Sequence, residues 1–244
     1  MKKYFTLTVV LAAALALGLT ANAYIPLFLV YECPHCKTHV IKGDWASEFR
    51  GSSSIYSPYI LPCSGQITTI KSGSHFGMHK WSYYTDGKSG SGNPRWIAKC
   101  PVCKKLFWME YAELVGTSDN GQKRILGPSE KELFAILSGK PLDKEKELCV
   151  RRQAWWTAND AWRHSQGKTN FSEAQVINLQ TLSEMLDESR EIERIFKAEI
   201  ARELGEFDKC LQLLSHSFEK KLQYLASFIR KRALEGDRDV WPLM

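Results

Sequence analysis

Four cysteines form two C-x-x-C units, which span Cys33–Cys36 and Cys100–Cys103. Two residues between thiols let a tight loop bring both sulfurs onto one Zn²⁺ ion, and two such loops complete the tetrahedron of a closed structural site. A matched pair of units, each with proline in second place, is far more specific than one unit alone. We therefore predict one structural zinc site with Cys33, Cys36, Cys100 and Cys103 as its ligands.

Redox chemistry is the main alternative for these cysteines. The tetrapeptide at Cys33–Cys36 also occurs in exported thiol oxidants of the thioredoxin class, in which the first cysteine lies at a helix N-terminus that lowers its pKa. The residues after this unit include Val40 and Ile41 and then Gly43 and Asp44, which favour a strand and a turn over a helix. Two disulfides among the four cysteines are a further alternative.

The sequence offers weaker evidence that the other histidines and cysteines bind a metal. His35 and His39 could bind a metal, but four thiolates already fill a tetrahedral site, so we expect these histidines to support the site or face solvent. Cys149 and Cys210 fall at apolar positions of helical stretches, and we predict that both are buried thiols, with a disulfide bridge as the alternative. Cys63 follows a proline in a loop and receives no role.

Short strand-like segments lead into and out of both cysteine units. The apolar run 24–31 enters the first unit, Trp96–Cys100 enters the second, and Lys105–Met109 leaves it. The interval between the units greatly exceeds the ~15–20 residues of simple two-knuckle sites. We interpret the excess as an insertion, rich in serine and glycine over 51–95, and surface insertions often carry function. Within it, Trp81–Thr85 predicts a strand that runs into a turn at Asp86-Gly87.

The chain becomes helical after about residue 127. Ser129 and Glu132 form a capping box, the reciprocal bonding that begins many helices. Apolar residues then recur at intervals of three and four, which is typical of amphipathic helices. These patterns predict five longer helices, at Lys144 to about His164, Ser172 to about Leu186, Glu188 to Leu204, Glu206 to about Ser215 and Phe218 to about Leu234.

One helical hairpin, at 198–214, is similar to the turn of a tetratricopeptide repeat. Gly205 permits a tight turn between the helices, and Cys210 stands where that repeat usually has alanine, a small residue that lets two helices approach closely. Any helical hairpin could have the same features. A peptide-binding solenoid normally needs at least about three repeats, and the sequence contains one.

The N-terminus has the organisation of a secretory signal peptide. Lys2 and Lys3 provide the positive region, an apolar stretch runs from Phe5 to Leu19, and 21–23 is an Ala-x-Ala cleavage site. We predict cleavage after Ala23, no stable membrane span afterwards, and a periplasmic or secreted protein. The alternative is an inner-membrane protein anchored by the uncleaved segment, although the apolar run is short for the ~20 residues that span a bilayer.

The amino-acid composition and net charge limit the functions that this chain could have. The apolar and charged fractions, 44% and 25%, are those of an ordinary globular protein. The formal charge of +6 is spread along the chain instead of forming the dense basic stripe of a nucleic-acid binder, so we expect no nucleic-acid partner. No familiar catalytic motif occurs, but an active site can still assemble in three dimensions. The insertion offers candidates for such a site in His75, His79, Trp81 and Asp86.

Four segments together resemble a family of uncharacterised bacterial zinc-ribbon proteins: Trp81–Lys88, Lys99–Trp108, Arg152–Asp160 and 198–214. Only the second, which contains the Cys100 and Cys103 pair, is chemically specific. The resemblance implies a two-knuckle ribbon followed by a tetratricopeptide-like helical region, and it implies no known activity.

These observations predict an α+β protein. A signal peptide at 1–23 precedes a β-rich zinc ribbon at 24–127 with its long insertion, and an all-α array of helical hairpins follows at 128–244. We expect a non-catalytic, zinc-binding adaptor or scaffold that contacts another protein. An exported thiol–disulfide or metal-handling protein is the first alternative, and an enzyme with its site at 75–86 is the second.

Overall fold

The computed structural model describes residues 27–46, 83–86, 97–118, 123–163 and 170–243. The predicted signal peptide and most of the serine- and glycine-rich insertion lie outside these ranges. Within them, small antiparallel sheets occur together with six α-helices, as predicted for a mixed α+β protein. None of the helices in the described ranges combines the length and the apolar character needed to cross a bilayer.

The strands are short and concentrate around the two cysteine units. Their bounds are β1 Leu27–Glu32, β2 His39–Ala46, β3 Tyr83–Tyr84, β4 Ile97–Lys99, β5 Leu106–Trp108, β6 Glu113–Ser118 and β7 Pro242–Leu243. A 3₁₀ turn, Met109–Tyr111, separates β5 from β6. The strand predicted at 24–31 is present as β1, and the one predicted at 105–109 is present as β5. The turn predicted at Gly43-Asp44 is absent, because β2 runs through both residues; its register with β1 shifts there, between the pairs Val30–Ile41 and Phe28–Trp45.

Three small sheets result. The first has the order β2-β1-β6, with β1 antiparallel to both neighbours. The second is the β4–β5 hairpin. The third pairs β3 with β7, so that Tyr83 lies opposite Leu243 and joins two distant parts of the chain.

The helices follow the predicted order with small changes at their ends. Their bounds are α1 Glu130–Leu137, α2 Lys144–Arg163, α3 Glu173–Met185, α4 Glu191–Leu204, α5 Phe207–Leu213 and α6 Lys220–Leu234. The capping box predicted at Ser129 and Glu132 is present, and Ser172 with Gln175 forms a second one at the start of α3. Gly205 ends α4 with φ at 83°, a left-handed conformation that glycine adopts without steric cost.

Apolar packing is divided into three clusters. The largest joins α2 to α6 and includes Trp155, Leu182, Ile195, Leu214 and Leu225. A small cluster around Cys33, Val40, Cys100 and Phe107 forms the core beneath the cysteine units. The third places Ile97 of β4 against Leu133 of α1 and Val150 of α2, and thereby packs the second hairpin on the first two helices.

Polar contacts reinforce the packing of the β4–β5 hairpin on α1 and α2. The side-chain amide of Gln153 donates to the carbonyl of Ile97 over 3.1 Å. Lys99 Nζ lies 2.7 Å from Glu132 Oε1, and this contact, together with bonds from Ser129, lowers the pKa of Glu132 to about 2. Glu132 therefore caps α1 and also connects that helix to β4.

Candidate metal centre

Each cysteine unit is a loop between two strands. β1 delivers the chain into Cys33 and β2 leaves the first loop, while β4 delivers it into Cys100 and β5 leaves the second. No helix begins at either loop, so the helix N-terminus that a thioredoxin-type cysteine needs is missing from both.

The two loops share one backbone conformation. Lys37 donates its backbone N–H to the carbonyl of Cys33 at 2.9 Å, and Lys104 does the same to Cys100 at 3.0 Å. The amide of each first cysteine donates in turn to the carbonyl five positions later, 3.0 Å away in both loops. Lys37 and Lys104 have φ values of 59° and 61°, a left-handed conformation that is uncommon without glycine. The second loop therefore repeats the first.

The repeated backbone brings the four predicted cysteines together. Their Sγ atoms all lie within 4.8 Å of one another. Across the loops, Cys33 Sγ lies 3.9 Å from Cys103 Sγ, and Cys36 Sγ lies 3.7 Å from Cys100 Sγ. Four sulfurs bound at ~2.3 Å to a central tetrahedral Zn²⁺ would be ~3.8 Å apart, so these residues fit such an ion. All four are free thiols and not disulfides.

Burial differs between the first and second cysteine of each loop. Cys33 and Cys100 have no exposed surface, whereas Cys36 and Cys103 are partly accessible. Burial raises the pKa of the Cys33 thiol to about 12. Hydrogen bonds with the side chain and the backbone of Thr38 lower the pKa of Cys36 to about 6. A metal binds thiolates, so occupancy of this site is expected to release protons.

His35 connects the two loops without joining the cysteine cluster. Its Nε2 atom lies 2.9 Å from the carbonyl oxygen of Leu106, the first residue of β5. His39 begins β2 opposite Glu32 and is likewise not a member of the cluster. His35 thus holds the first loop against the strand that follows the second.

Sequence reasoning missed the left-handed lysines, although the signal was present. Both units continue with lysine, at Lys37 and Lys104, so the repeat covers five residues and not four. A lysine ordinarily avoids positive φ, and its backbone N–H here closes the loop on the carbonyl of the first cysteine. The lysine that follows each C-x-x-C unit could therefore have predicted that the two loops share one conformation.

The helical cysteines differ in state. Cys210 is a fully buried free thiol, as predicted, and burial raises its pKa to about 12. The prediction that Cys149 is also a free thiol is wrong, because Cys149 is buried but disulfide-bonded. Helical periodicity correctly predicted that Cys149 is buried. Periodicity alone cannot show whether a buried cysteine is bonded to a second sulfur. Cys63 lies outside the described residues.

Of the residues proposed for an enzyme site in the insertion, only Asp86 lies in the described ranges. It is fully buried, and its carboxylate accepts hydrogen bonds from Arg163 and, at 3.0 Å, from Asn159. Asn159 also donates to Glu203, which accepts the indole N–H of Trp155 at 2.8 Å. Asp86 thus belongs to a buried polar network among the helices. His75, His79 and Trp81 lie outside the described residues.

A cavity of about 500 Å³ lies elsewhere, between α3, α4 and α5. Its polar rim carries two lysines that are already paired, Lys197 with Glu188 and Lys209 with Glu206. None of the four clustered cysteines lines it. The cysteine cluster, rather than this cavity, is the chemically specific feature of the described chain.

Comparisons with protein-family models, curated proteins and solved structures find no match to this chain.

Proposed function

We propose that this protein is an exported zinc-ribbon adaptor, in which one structural Zn²⁺ bound by Cys33, Cys36, Cys100 and Cys103 fixes a surface that contacts another protein. The observation that carries the proposal is the spacing of the four sulfurs, with cross-loop distances of 3.9 and 3.7 Å. Four thiolates complete the coordination of a tetrahedral zinc and leave no position for water or substrate, which is typical of structural sites.

The surroundings of the cluster favour a structural role over a redox role. Strands leave both loops, and Cys33, which would be the attacking thiol of a redox pair, has no exposed surface. A reactive cysteine is instead accessible and has a low pKa. The free state of all four cysteines also favours metal binding over the alternative of two disulfides.

Exposed apolar side chains support the adaptor role. Five of the eight large apolar side chains exposed in the described ranges belong to the ribbon, namely Val102, Tyr111, Leu114, Val115 and Leu126. Val102 lies inside the second cysteine loop itself. Exposed apolar side chains of this kind can contribute to a protein-contact surface where they lie side by side, as Leu114 and Val115 do in the chain. A metal that holds the loops would also hold these side chains in place.

The proposed metal site is tested by loading the full chain with Zn²⁺ and measuring metal per chain. We expect one Zn²⁺, which Cys100→Ser removes and Cys210→Ser retains. Replacement by Co²⁺ should give the intense sulfur-to-cobalt absorption of a tetrahedral thiolate site. Metal-free protein after loading, or equal zinc content in the two variants, would reject the site.

The adaptor role needs a separate test. A photo-reactive amino acid is placed at Leu114 on the ribbon or, as a matched exposed control, at Ile177 on α3, and crosslinked proteins are identified in the native host. We expect one specific protein from position 114 that is absent from position 177 and absent when Cys100 is serine. The same products from both positions would contradict the adaptor role and leave the zinc site standing.

A further inference from the structure

The last helix, α6, has charges of one sign only. Its sequence contains five basic residues and no acidic one. The other helices of the described ranges either mix the two signs or lack basic residues, and α4, of similar length, has three basic and four acidic residues. Charges of both signs on a surface helix pair along its face and neutralise each other. No acid within α6 neutralises its positive charge in this way.

Helical geometry divides the residues of α6 between two faces. One face packs in the main apolar cluster and consists of Leu222, Leu225, Ala226, Ile229 and Ala233. The opposite face repeats the same intervals of three and four residues, which align side chains along one stripe of a helix. We call it the α6 stripe, and its members, all exposed, are Lys220, Tyr224, Ser227, Lys231 and Leu234. At 1.5 Å per residue, the stripe is about 21 Å long.

The α6 stripe combines exposed apolar side chains with positive charge. Tyr224 is 54% exposed, and Leu234 is 70% exposed, the highest value for a large apolar side chain in the described ranges. The Lys231 side chain is 71% exposed, and its contact with Glu235, just beyond the helix, is long at 3.9 Å. Glu235 lies closer to Arg232, at 3.1 Å. The Lys231 ammonium group is therefore accessible to an anion from outside the chain.

We propose that the α6 stripe binds the surface of a phospholipid membrane that contains anionic lipids. The lysines attract the negatively charged lipid heads, and each basic side chain near such a surface adds to the affinity. Tyr224 and Leu234 enter the headgroup layer beside them, since tyrosine favours the boundary between water and lipid. The association is peripheral, and it is independent of the zinc site and of the adaptor role.

The shape of the α6 stripe favours a lipid surface over an acidic protein. A helix face is convex, and none of the described residues that line the cavity between α3, α4 and α5 belongs to α6. A peptide normally binds in a groove or along a sheet edge. A fluid layer of lipid heads adapts to a convex surface, so positive charge and a few apolar side chains suffice for binding. The predicted export of the chain also brings it next to phospholipid membranes.

Vesicle binding tests the proposal on the full, zinc-loaded chain. Vesicles of equal parts phosphatidylglycerol and phosphatidylcholine are compared with vesicles of phosphatidylcholine alone, and bound protein is measured by co-sedimentation. We expect binding to the anionic vesicles that falls at about 1 M salt, where charges are screened beyond ~3 Å. The phosphatidylcholine vesicles measure any insertion by the apolar N-terminal segment, which is identical in every variant.

A matched pair of double variants tests the role of charge. Lys220→Gln combined with Lys231→Gln should weaken binding to the anionic vesicles about 10-fold or more. Lys131→Gln combined with Lys140→Gln removes the same charge from exposed positions in and after α1 and should leave binding nearly unchanged. Circular dichroism of each variant checks that the helices are retained. Equal loss of binding in the two double variants would overturn the proposal.

A second pair of variants tests the apolar contribution. Tyr224→Ser should weaken binding, whereas Ile177→Ser on α3 should not, although both wild-type side chains are 54% exposed. Equal binding of the wild type to the two kinds of vesicle would also overturn the proposal. Polyglutamate serves as an acidic-peptide probe. If polyglutamate binds through Lys220 and Lys231 while the anionic vesicles do not bind, the stripe is a site for an acidic protein and the lipid proposal is rejected.

Discussion

Trp155 donates its indole N–H to Glu203 over 2.8 Å, and both side chains are buried in the centre of the helical region. Burial raises the pKa of Glu203 from about 4.5 to about 8, since a carboxylate loses hydration there. Nearby Glu199 raises it further, whereas Arg202 and the bonds from Trp155 and Asn159 act in the opposite direction. Glu203 is thus a buried acid that holds its proton at neutral pH.

This relationship predicts a pH dependence of stability. In the unfolded chain Glu203 ionises near its ordinary pKa, but in the folded protein it stays protonated up to about pH 8. Its contribution to the free energy of unfolding is therefore fully present below about pH 4.5, falls as the pH rises to 8, and is constant above that. Glu203→Gln keeps an acceptor for Trp155 and cannot ionise. The melting temperature of this variant minus that of wild type should therefore increase by a few degrees as the pH rises over this range.

Thermal unfolding of wild type and Glu203→Gln at several pH values measures that gain. Glu184→Gln, which changes an exposed carboxylate on α3, is the matched control and should follow the wild type. Parallel curves for wild type and Glu203→Gln from pH 5 to 8 would contradict a shifted pKa at Glu203.

Metal removal should separate the ribbon from the helices. Because bound zinc contributes folding free energy directly, a strong chelator should unfold the cysteine loops. The largest apolar cluster, which lies among α2 to α6, contains none of the four clustered cysteines and should retain its helices. Amide hydrogen exchange with and without chelator measures both regions. Full exchange of α4 together with the loops would show that the ribbon and the helices unfold as one unit.

His35 should increase the affinity for zinc although it is not a member of the cysteine cluster. His35→Ala removes the contact with the carbonyl of Leu106, so the first loop should open more easily and zinc affinity should fall about 10-fold or more. Competition with a chromogenic chelator measures the affinity. His35→Gln, which can restore a donor, should recover part of it, and His39→Ala should have little effect. Equal affinities for His35→Ala and wild type would exclude a positioning role.

Cys210 tests close packing in the helical hairpin. Its side chain is fully buried in the main apolar cluster, so Cys210→Ala should cost less than about 1.5 kcal/mol. Cys210→Trp should cost about 1–3 kcal/mol or more, because an added ring forces the backbone apart. Chemical denaturation compares the two, and similar midpoints would show that this position is loosely packed.

Gly205 tests the turn of the same hairpin through backbone conformation. An added Cβ would meet Arg238 at 3.7 Å, an ordinary contact, so space is not the obstacle. The φ of 83° is the obstacle, and Gly205→Ala should cost about 1 kcal/mol. Gly205→Asn should cost less, since asparagine tolerates this conformation better. The order of the two denaturation midpoints checks the explanation, and it fails if alanine is the more stable variant.

Local signals in the sequence predicted local structure well. The capping box at Ser129 and the glycine at 205 predicted a helix start and a turn that the structure contains. The two cysteine units predicted the clustering of sulfurs that are distant in sequence, because metal-ligand spacing encodes a long-range contact.

Contacts without such a chemical signature could not be predicted. Nothing in the run around Tyr83 identifies Leu243 as its strand partner, since two-residue strands have no register of their own. The burial of Asp86 against Arg163 and Asn159 depends on the segment after β3 meeting α2, and the disulfide of Cys149 depends on one further sulfur. Tertiary packing determined each of these outcomes.

The pairing of β3 with β7 has a consequence for biosynthesis. Thr85 donates its backbone N–H to the carbonyl of Trp241 at 2.9 Å, and the two residues are 156 positions apart. While the ribosome is still adding the helices, the segment at 83–86 has no partner strand to join. A chaperone that binds extended chain would find this segment available until residues 241–243 emerge. Their arrival then supplies the strand partner of Tyr83 and Tyr84.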